Sequence, residues 1–412
     1  MKTIIIKNIV YLSLTQSVNM LFPILIYAYF LKVIGTEIYG ELLIYQAVVA
    51  YFSLIVNYGF NISGVKKVVD CNGDFNKISF VFSSIFYIKS ILFCIILFLI
   101  FVYCLFSSSI NPQLLFLCSL VLIYEWLFPQ WFFQAMDKLK LVFFLSALSK
   151  IVSMILLLIF LKRPADYFLI PLFMGISSSF IGVFSLALSY KLGVRFFRIS
   201  VRQLLMDFKD SSFLFLSTFL LNIKARADIF FVGLLIGLQQ VVYFDFIIKI
   251  LGVALIPIGI INNAFYARSS SLKDKYLFRN IIFLSLIVGF FMCLMVFFGG
   301  DYLIEYVKLN SDILSPLVSL ISICIFVLSV SVILELNGLI AWGYKKTVFI
   351  GAFLNLGLYL VGIYVLMHKS EVSLFDFVIL TIFLHLFDIV FRIVACIKYK
   401  VFHFYQDKSI NV

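Results

Sequence analysis

Charge is what this chain has least of. Lys, Arg, Asp and Glu supply 13% of its 412 residues, against about a quarter in ordinary globular proteins. A water-soluble chain of this length needs far more of them to cover its surface, so the composition excludes a soluble enzyme. Also missing are a nucleophile set beside a base, a metal-ligand cluster, a phosphate-cradling glycine loop and a Walker motif, which excludes transport driven by the chain's own ATP hydrolysis. The seven cysteines show neither a disulfide framework nor metal spacing. Cys71 falls in a loop; Cys94, Cys104, Cys118, Cys293, Cys324 and Cys396 fall in apolar runs and read as polarizable packing residues. No cofactor is expected. The basic aromatic patches of a nucleic-acid binder are absent as well, so no nucleic acid is expected as a partner.

What the chain has instead is apolar residue, 64% of the total. A spanning helix takes about 20 such residues. The apolar runs predict spans at 8–31, 42–63, 79–106, 113–135, 142–161, 167–190, 211–236, 240–265, 280–299, 313–342, 347–367 and 374–396. About 13 residues remain per connection or tail, too few for a soluble domain of any size. The first run is too long for a signal peptide and lacks a small-residue cleavage site, so it is read as the first helix. The expected fold is an all-α integral membrane protein of about twelve transmembrane helices.

The net charge of +12 then sorts by side. With both termini in the cytoplasm, 21 Lys and Arg lie on that side, among them Lys66, Lys67, Lys138, Lys140, Arg268 and Lys408, against five outside: Lys32, Lys162, Arg163, Lys308 and Lys369. The positive-inside rule fixes this orientation. Six cations remain within spans: Lys89, Lys150, Lys224, Arg226, Lys249 and Arg392.

The longest interior connection divides the chain into a lobe of six spans (1–190), a linker (191–210) and a second six-span lobe with a tail (211–412). On a helical wheel Lys191, Arg195, Arg198, Arg202 and Lys209 fall within about 60°, with Val194, Phe197, Val201, Leu204 and Phe208 roughly opposite. The linker therefore reads as an interfacial amphipathic helix on anionic headgroups; a direct grip on a phosphorylated lipid is the sharper reading. Ile34-Gly35-Thr36 after the first span and Ile236-Gly237-Leu238 after the seventh suggest parallel repeats about an axis along the membrane normal, with a central cavity between the lobes.

Ionisable groups at membrane depth face a bundle interior or a wet cavity. Lys224 with Asp228, Asp245 with Lys249 and Asp388 with Arg392 are spaced i to i+4, so mutual neutralisation is the bland account of each. Arg392 is also close enough to its helix end to snorkel. Arg226 has no acid one turn away and is the best candidate to hold an anionic substrate: its guanidinium stays charged and forks onto two phosphate oxygens. Lys89, Glu125 and Lys150 occupy three helices at a common depth of about 13–16 Å, so they can meet. They form either a charge cluster locking the lobe or a cavity in which the lysines attract an anion and Glu125 titrates. Lys224, Lys249, Lys89 and Lys150 thus join Arg226 as substrate-binding candidates, with Glu125 and Asp228 as candidates for ion coupling. Glu335, near its helix end, reads as solvated, and His385 beside Asp388 as a packing contact. Pro23, Pro129 and Pro257 interrupt helix interiors and permit bends.

Four stretches carry a resemblance: Ser13-Leu-Thr-Gln16 with Asn19 and Pro23, Gly35-Thr-Glu-Ile-Tyr-Gly40, Tyr58-Gly-Phe-Asn-Ile-Ser-Gly64, and Phe128-Pro-Gln-Trp-Phe-Phe-Gln-Ala-Met-Asp137. They resemble the Wzx-type O-antigen flippases, in the polysaccharide-transport branch of the multidrug/oligosaccharidyl-lipid/polysaccharide exporter superfamily. Where members often have Gly and Glu this chain has Ala135 and Asp137, and its second half resembles the family only diffusely. The resemblance implies an inner-membrane protein of lipopolysaccharide biosynthesis that moves undecaprenyl-pyrophosphate-linked repeat units to the periplasmic leaflet by alternating access. Driven by an ion gradient or substrate mass action, it would work beside an O-antigen polymerase and a chain-length regulator. The alternatives are another exporter of the superfamily, for a small molecule or a different lipid-linked glycan, and a membrane polysaccharide polymerase. The short outward connections, about 4 to 14 residues, speak against the polymerase, for which a long outward loop with carboxylates or Arg is expected.

Overall fold

The computed structural model describes residues 2–106 and 111–402; Lys408 and the rest of the tail from 403 lie outside the described residues. Among those described there is no strand. The helices run α1 (Lys2–Asn57), α2 (Phe60–Val69), α3 (Phe75–Phe106), α4 (Pro112–Ser119), α5 (Val121–Leu127), α6 (Gln130–Ala135), α7 (Leu139–Phe160), α8 (Leu169–Lys191), α9 (Val201–Leu235), α10 (Leu238–Ala254), α11 (Ile256–Leu272), α12 (Lys275–Val307), α13 (Ser311–Ile333), α14 (Lys345–Met367) and α15 (Leu374–Lys398). A π-helical turn, Leu334–Ile340, continues α13.

Nine helical stretches among the described residues are long and apolar enough to cross a membrane, which makes the chain a multi-pass membrane protein. The first of them contains two spans. Tyr27 and Tyr39 are twelve residues apart, about 18 Å along a straight helix, yet their ring centroids are 5.1 Å apart. The chain therefore doubles back at Gly35, whose φ of 76° and ψ of 174° only glycine adopts readily. The pair α10 and α11, bent by 43° beside Pro257, makes one broken span. α9 is long enough to be another, but Lys224, Arg226 and Asp228 in its second half dilute its apolar character. With these the count reaches the twelve expected. Of the other prolines, Pro129 separates α5 from α6, whereas Pro23 stays within α1.

The chain forms two compact units, Met1–Phe244 and Asp245–Val412. In the first, α2 and α6 pack through Gly64, where an added Cβ would lie 2.9 Å from the Trp131 ring. Around that contact Phe60, Phe82, Phe132 and Phe133 are buried. The turns at Gly35 and Gly237, both with positive φ, match the two repeated sequences, and Gly40 lets the Leu238 carbonyl approach its backbone closely. Tyr27 donates to the Val242 carbonyl at 2.8 Å in the same region. In the second unit α12 and α13 meet through small residues: Ser285 donates to the Ser329 carbonyl, and Gly289, one turn on, faces the Ser329 side chain. This is how helices associate where lipid already satisfies apolar surface.

Residues 191–210 do not form the single amphipathic helix expected. Residues 192–200 are extended or turning, and the amides of Arg195 and Phe197 donate to Ser79 Oγ and Ser83 Oγ at 3.0 and 2.9 Å. Those hydroxyls of α3 satisfy backbone groups that a helix would otherwise have paired. Helix resumes at Val201, capped by Ser200. Of the apolar face expected, Val194 is buried and Leu204 and Phe208 are half-buried, but Phe197 and Val201 are exposed, as are Lys191, Arg195, Arg198, Arg202 and Lys209.

Candidate functional site

The first unit gathers ionisable groups at the depth where the rise per residue placed them. Lys89 of α3, 2% exposed, donates through Nζ to Asn57 Oδ1 at 3.1 Å, and Asn57 Nδ2 donates to Glu125 Oε2 of α5 at 2.6 Å. The charge of Glu125 acts on both Lys89 and Lys150. Lys150 of α7 lies over the Phe22 ring, 5.5 Å from its centroid, a favourable place for an ammonium shielded from water. Register between α3 and α5 is held by the neighbours of the charged pair: Trp126 Nε1 donates to Ser90 Oγ at 2.8 Å, and the Trp126 ring stacks on Phe93 at 4.8 Å.

Asn57 escaped the sequence reading. It is the last residue of α1, before Tyr58 and Gly59 break the helix with φ of 43° and 71°. That break has a packing cause, since a Cβ at Gly59 would lie 2.8 Å from the Phe215 amide. A carboxamide both accepts from an ammonium and donates to a carboxylate. It therefore links the two charges without bringing them into contact, and Glu125 stays half-buried.

On α9, Lys224 is half-buried, Asp228 is buried and Arg226 is exposed. Tyr51 of α1 donates to the Ile223 carbonyl at 2.6 Å, and its hydroxyl sits in the field of both Asp228 and Arg226. Arg226 lies nine residues before the end of α9, about 14 Å from it. An exposed guanidinium at that depth cannot rest in hydrocarbon and has to meet water or an anion.

In the second unit Lys249 pairs with Asp245 one turn earlier, so its charge is answered within α10. Arg392 is held from another helix: one amino group lies 2.6 Å from Glu335 Oε2 and the other donates to Ser331 Oγ at 2.6 Å. The expectation that Glu335 is solvated is thereby corrected. Its side chain is 24% exposed and ion-paired, because the π-turn adds a residue to the helical repeat and shifts which side chains face α15. The same turn carries Asn337, wholly buried, whose Nδ2 donates to the Asn262 carbonyl at 3.0 Å and to Asn262 Oδ1 at 2.5 Å. No group of three or more His, Cys, Asp or Glu able to hold a metal ion occurs among the described residues.

Comparison with known proteins agrees with this picture. A family model described as polysaccharide biosynthesis protein matches residues 5–273. A candidate O-antigen transporter of Escherichia coli (strain K12) is 24% identical over 351 residues, covering 82% of this chain and 84% of its own. A second, from Shigella dysenteriae, is 31% identical over 163 residues, 39% of this chain and 40% of its own. Among solved structures, an inward-facing MATE-family multidrug resistance transporter of the MOP superfamily superposes with a TM-score of 0.69 at 11% identity, covering 94% of each chain. The fold is accordingly the all-helical, two-lobed one of MOP-superfamily transporters.

Proposed function

Because the chain belongs to the polysaccharide biosynthesis protein family, we propose that it is a flippase carrying undecaprenyl-pyrophosphate-linked O-antigen repeat units from the cytoplasmic to the periplasmic leaflet of the bacterial inner membrane. The observation that carries this reading is Arg226, exposed at membrane depth in the neighbourhood of Tyr51. A permanently charged, planar guanidinium suits a pyrophosphate, which offers paired oxygens for a bidentate grip. Lys89 and Lys150 supply further positive potential in the first lobe, and Lys249 a lesser share because Asp245 already answers it.

The lobes are taken as 1–190 and 211–412, joined through 191–210 and rocking about a central cavity. Both termini lie in the cytoplasm, as the distribution of Lys and Arg requires. Glu125 and Asp228 are the groups assigned to ion coupling: each is a carboxylate beside basic residues, able to exchange a cation when substrate anion competes for the same lysine or arginine. The polymerase and chain-length regulator of the pathway receive the flipped unit on the far side.

The test is complementation. A strain lacking the protein is expected to accumulate lipid-linked repeat units and lose surface polysaccharide. The wild-type chain reverses both defects and Arg226→Lys reverses them in part. Arg226→Ala, at equal membrane level, reverses neither. Full surface display by the Ala variant removes Arg226 from the mechanism, and no accumulation in the deletion strain removes the flippase reading itself.

A further inference from the structure

α9 is too long for the membrane. Its 35 residues extend about 52 Å, against a hydrocarbon core of about 30 Å, so its first turns project at the end where α2 finishes and α3 begins. There Asp207, 8% exposed, is bonded from three sides. Its Oδ1 accepts from Lys67 Nζ of α2 at 2.5 Å. Its Oδ2 accepts from Ser84 Oγ of α3 at 2.5 Å and from Gln203 Nε2, one turn back on α9, at 3.3 Å. Asp210 lies 3.7 Å from the same ammonium.

One turn further in, the hydroxyls of Ser63 on α2 and Ser211 on α9 are 3.0 Å apart. Beside them Phe208 and Phe215 stack on either part of the Tyr58 ring, at 4.2 and 4.6 Å. Every one of these contacts except that from Gln203 joins α9, the seventh span, to spans of the first half.

The chemistry of the contact matters. Two stacked rings and a buried serine pair give shape, and the charged element is the ion pair of buried Asp207 with partly buried Lys67. Closed, its carboxylate has a donor for each oxygen; opened at a membrane surface, both ions regain water, so the two states differ far less than the strength of the closed pair suggests.

We propose that Asp207 is a positioning residue for transport. Its carboxylate latches the projecting end of α9 onto α2 and α3, and each transport cycle releases and remakes that latch at the cytoplasmic side. The proposal rests on the transport reading above for its purpose, though not for its geometry.

The test uses the full-length chain with its seven cysteines replaced, carrying Ser63→Cys and Ser211→Cys, in membrane vesicles. Hydroxyls 3.0 Å apart place the two thiols within disulfide reach. Oxidation with copper phenanthroline is expected to cross-link them and to stop export of polysaccharide in cells, and a reductant to restore it. Asp207→Asn lowers the cross-linking yield about three- to tenfold, the size expected when a hydrogen bond of ordinary net strength is lost. The exchange Lys67→Asp with Asp207→Lys recovers the yield, which Lys67→Asp alone does not. An unchanged yield in Asp207→Asn, or full export by the cross-linked protein, overturns the proposal. The yield is read without substrate, so it holds or fails independently of what the protein carries.

Discussion

Replacing Asn57 by alanine removes the only carboxamide in the Lys89 to Glu125 chain and leaves a buried ammonium and a half-buried carboxylate to find other partners. Two bonds disappear, at 3.1 and 2.6 Å, each to a charged group. In soluble proteins such bonds contribute about 1.5–3 kcal/mol each, which sets a ceiling of about 3–6 kcal/mol. Side-chain hydrogen bonds inside a membrane protein average about 0.6 and reach about 1.7 kcal/mol, because the unfolded chain in lipid also finds partners. The membrane figures apply at this depth, and the charges push toward their upper end, giving about 2 kcal/mol. With an unfolding entropy of about 2.1 cal/mol/K per residue, 412 residues translate that into a Tm lower by about 2 °C.

The decisive assay is a double-mutant cycle on the detergent-purified protein, with Asn57→Ala, Lys89→Met and the pair. Methionine keeps the apolar stem and deletes the charge, so in its presence Asn57→Ala loses one bond instead of two, and a coupling of about 0.5–1.5 kcal/mol is expected. Asn57→Asp keeps an acceptor for Lys89 but sets a second carboxylate against Glu125, so it should retain the coupling to Lys89 that alanine loses. Strict additivity, within about 0.3 kcal/mol, would refute the claim that the amide links the two charges.

Four further outcomes follow from the same structure. Gly40→Ala puts a Cβ 2.1 Å from the Leu238 carbonyl, so the contact between α1 and the start of α10 has to open; a protein level in the membrane lowered severalfold checks this. Gly252→Ala, helical in the last turn of α10 with nothing within 4 Å, should instead gain up to about 0.5–1 kcal/mol in a thermal melt. Arg392→Ala leaves Glu335 charged and uncompensated and should lose about 3–5 kcal/mol, while removing both partners with leucine recovers most of the loss in the same melt. For Cys71, burial pushes the thiol up from its ordinary value, so its thiolate is scarcer at neutral pH; alkylation followed by mass spectrometry should run slower than for a free thiol and accelerate as pH is raised past that of an ordinary cysteine.

What could be read from the sequence was whatever depends on one helix at a time. Span number follows from apolar length, and the i to i+4 rule found the Asp245 to Lys249 pair. Equal depth brought Lys89 and Glu125 together because a rise of about 1.5 Å per residue acts the same on every helix. Asn57 was not visible, since a neutral amide in an apolar run has no period to betray it. The rule failed to foresee the partner of Arg392 because the π-turn at Leu334–Ile340 alters the register on which any wheel depends. The linker was misread for a related reason: its amphipathic pattern is real, but the serines of α3 offered its backbone better partners than a helix would.

Lys67 and Asp207 show the remaining blind spot. Counted by side, each is one more charge near a membrane surface, and the count cannot distinguish a cation that orients the chain from one that is clasped. Burial makes that distinction: Asp207 is 8% exposed and Lys140, on the same side by count, is exposed to solvent. The in-span cations divide the same way. Lys249 and Arg392 meet carboxylates at bonding distance, and Lys89 meets one through Asn57. Each of these is compatible with a locked bundle. Arg226 is exposed at a depth where exposure to lipid would cost several kcal/mol, so water or an anionic ligand has to reach it. A polar path into the first unit is therefore a requirement of this one side chain.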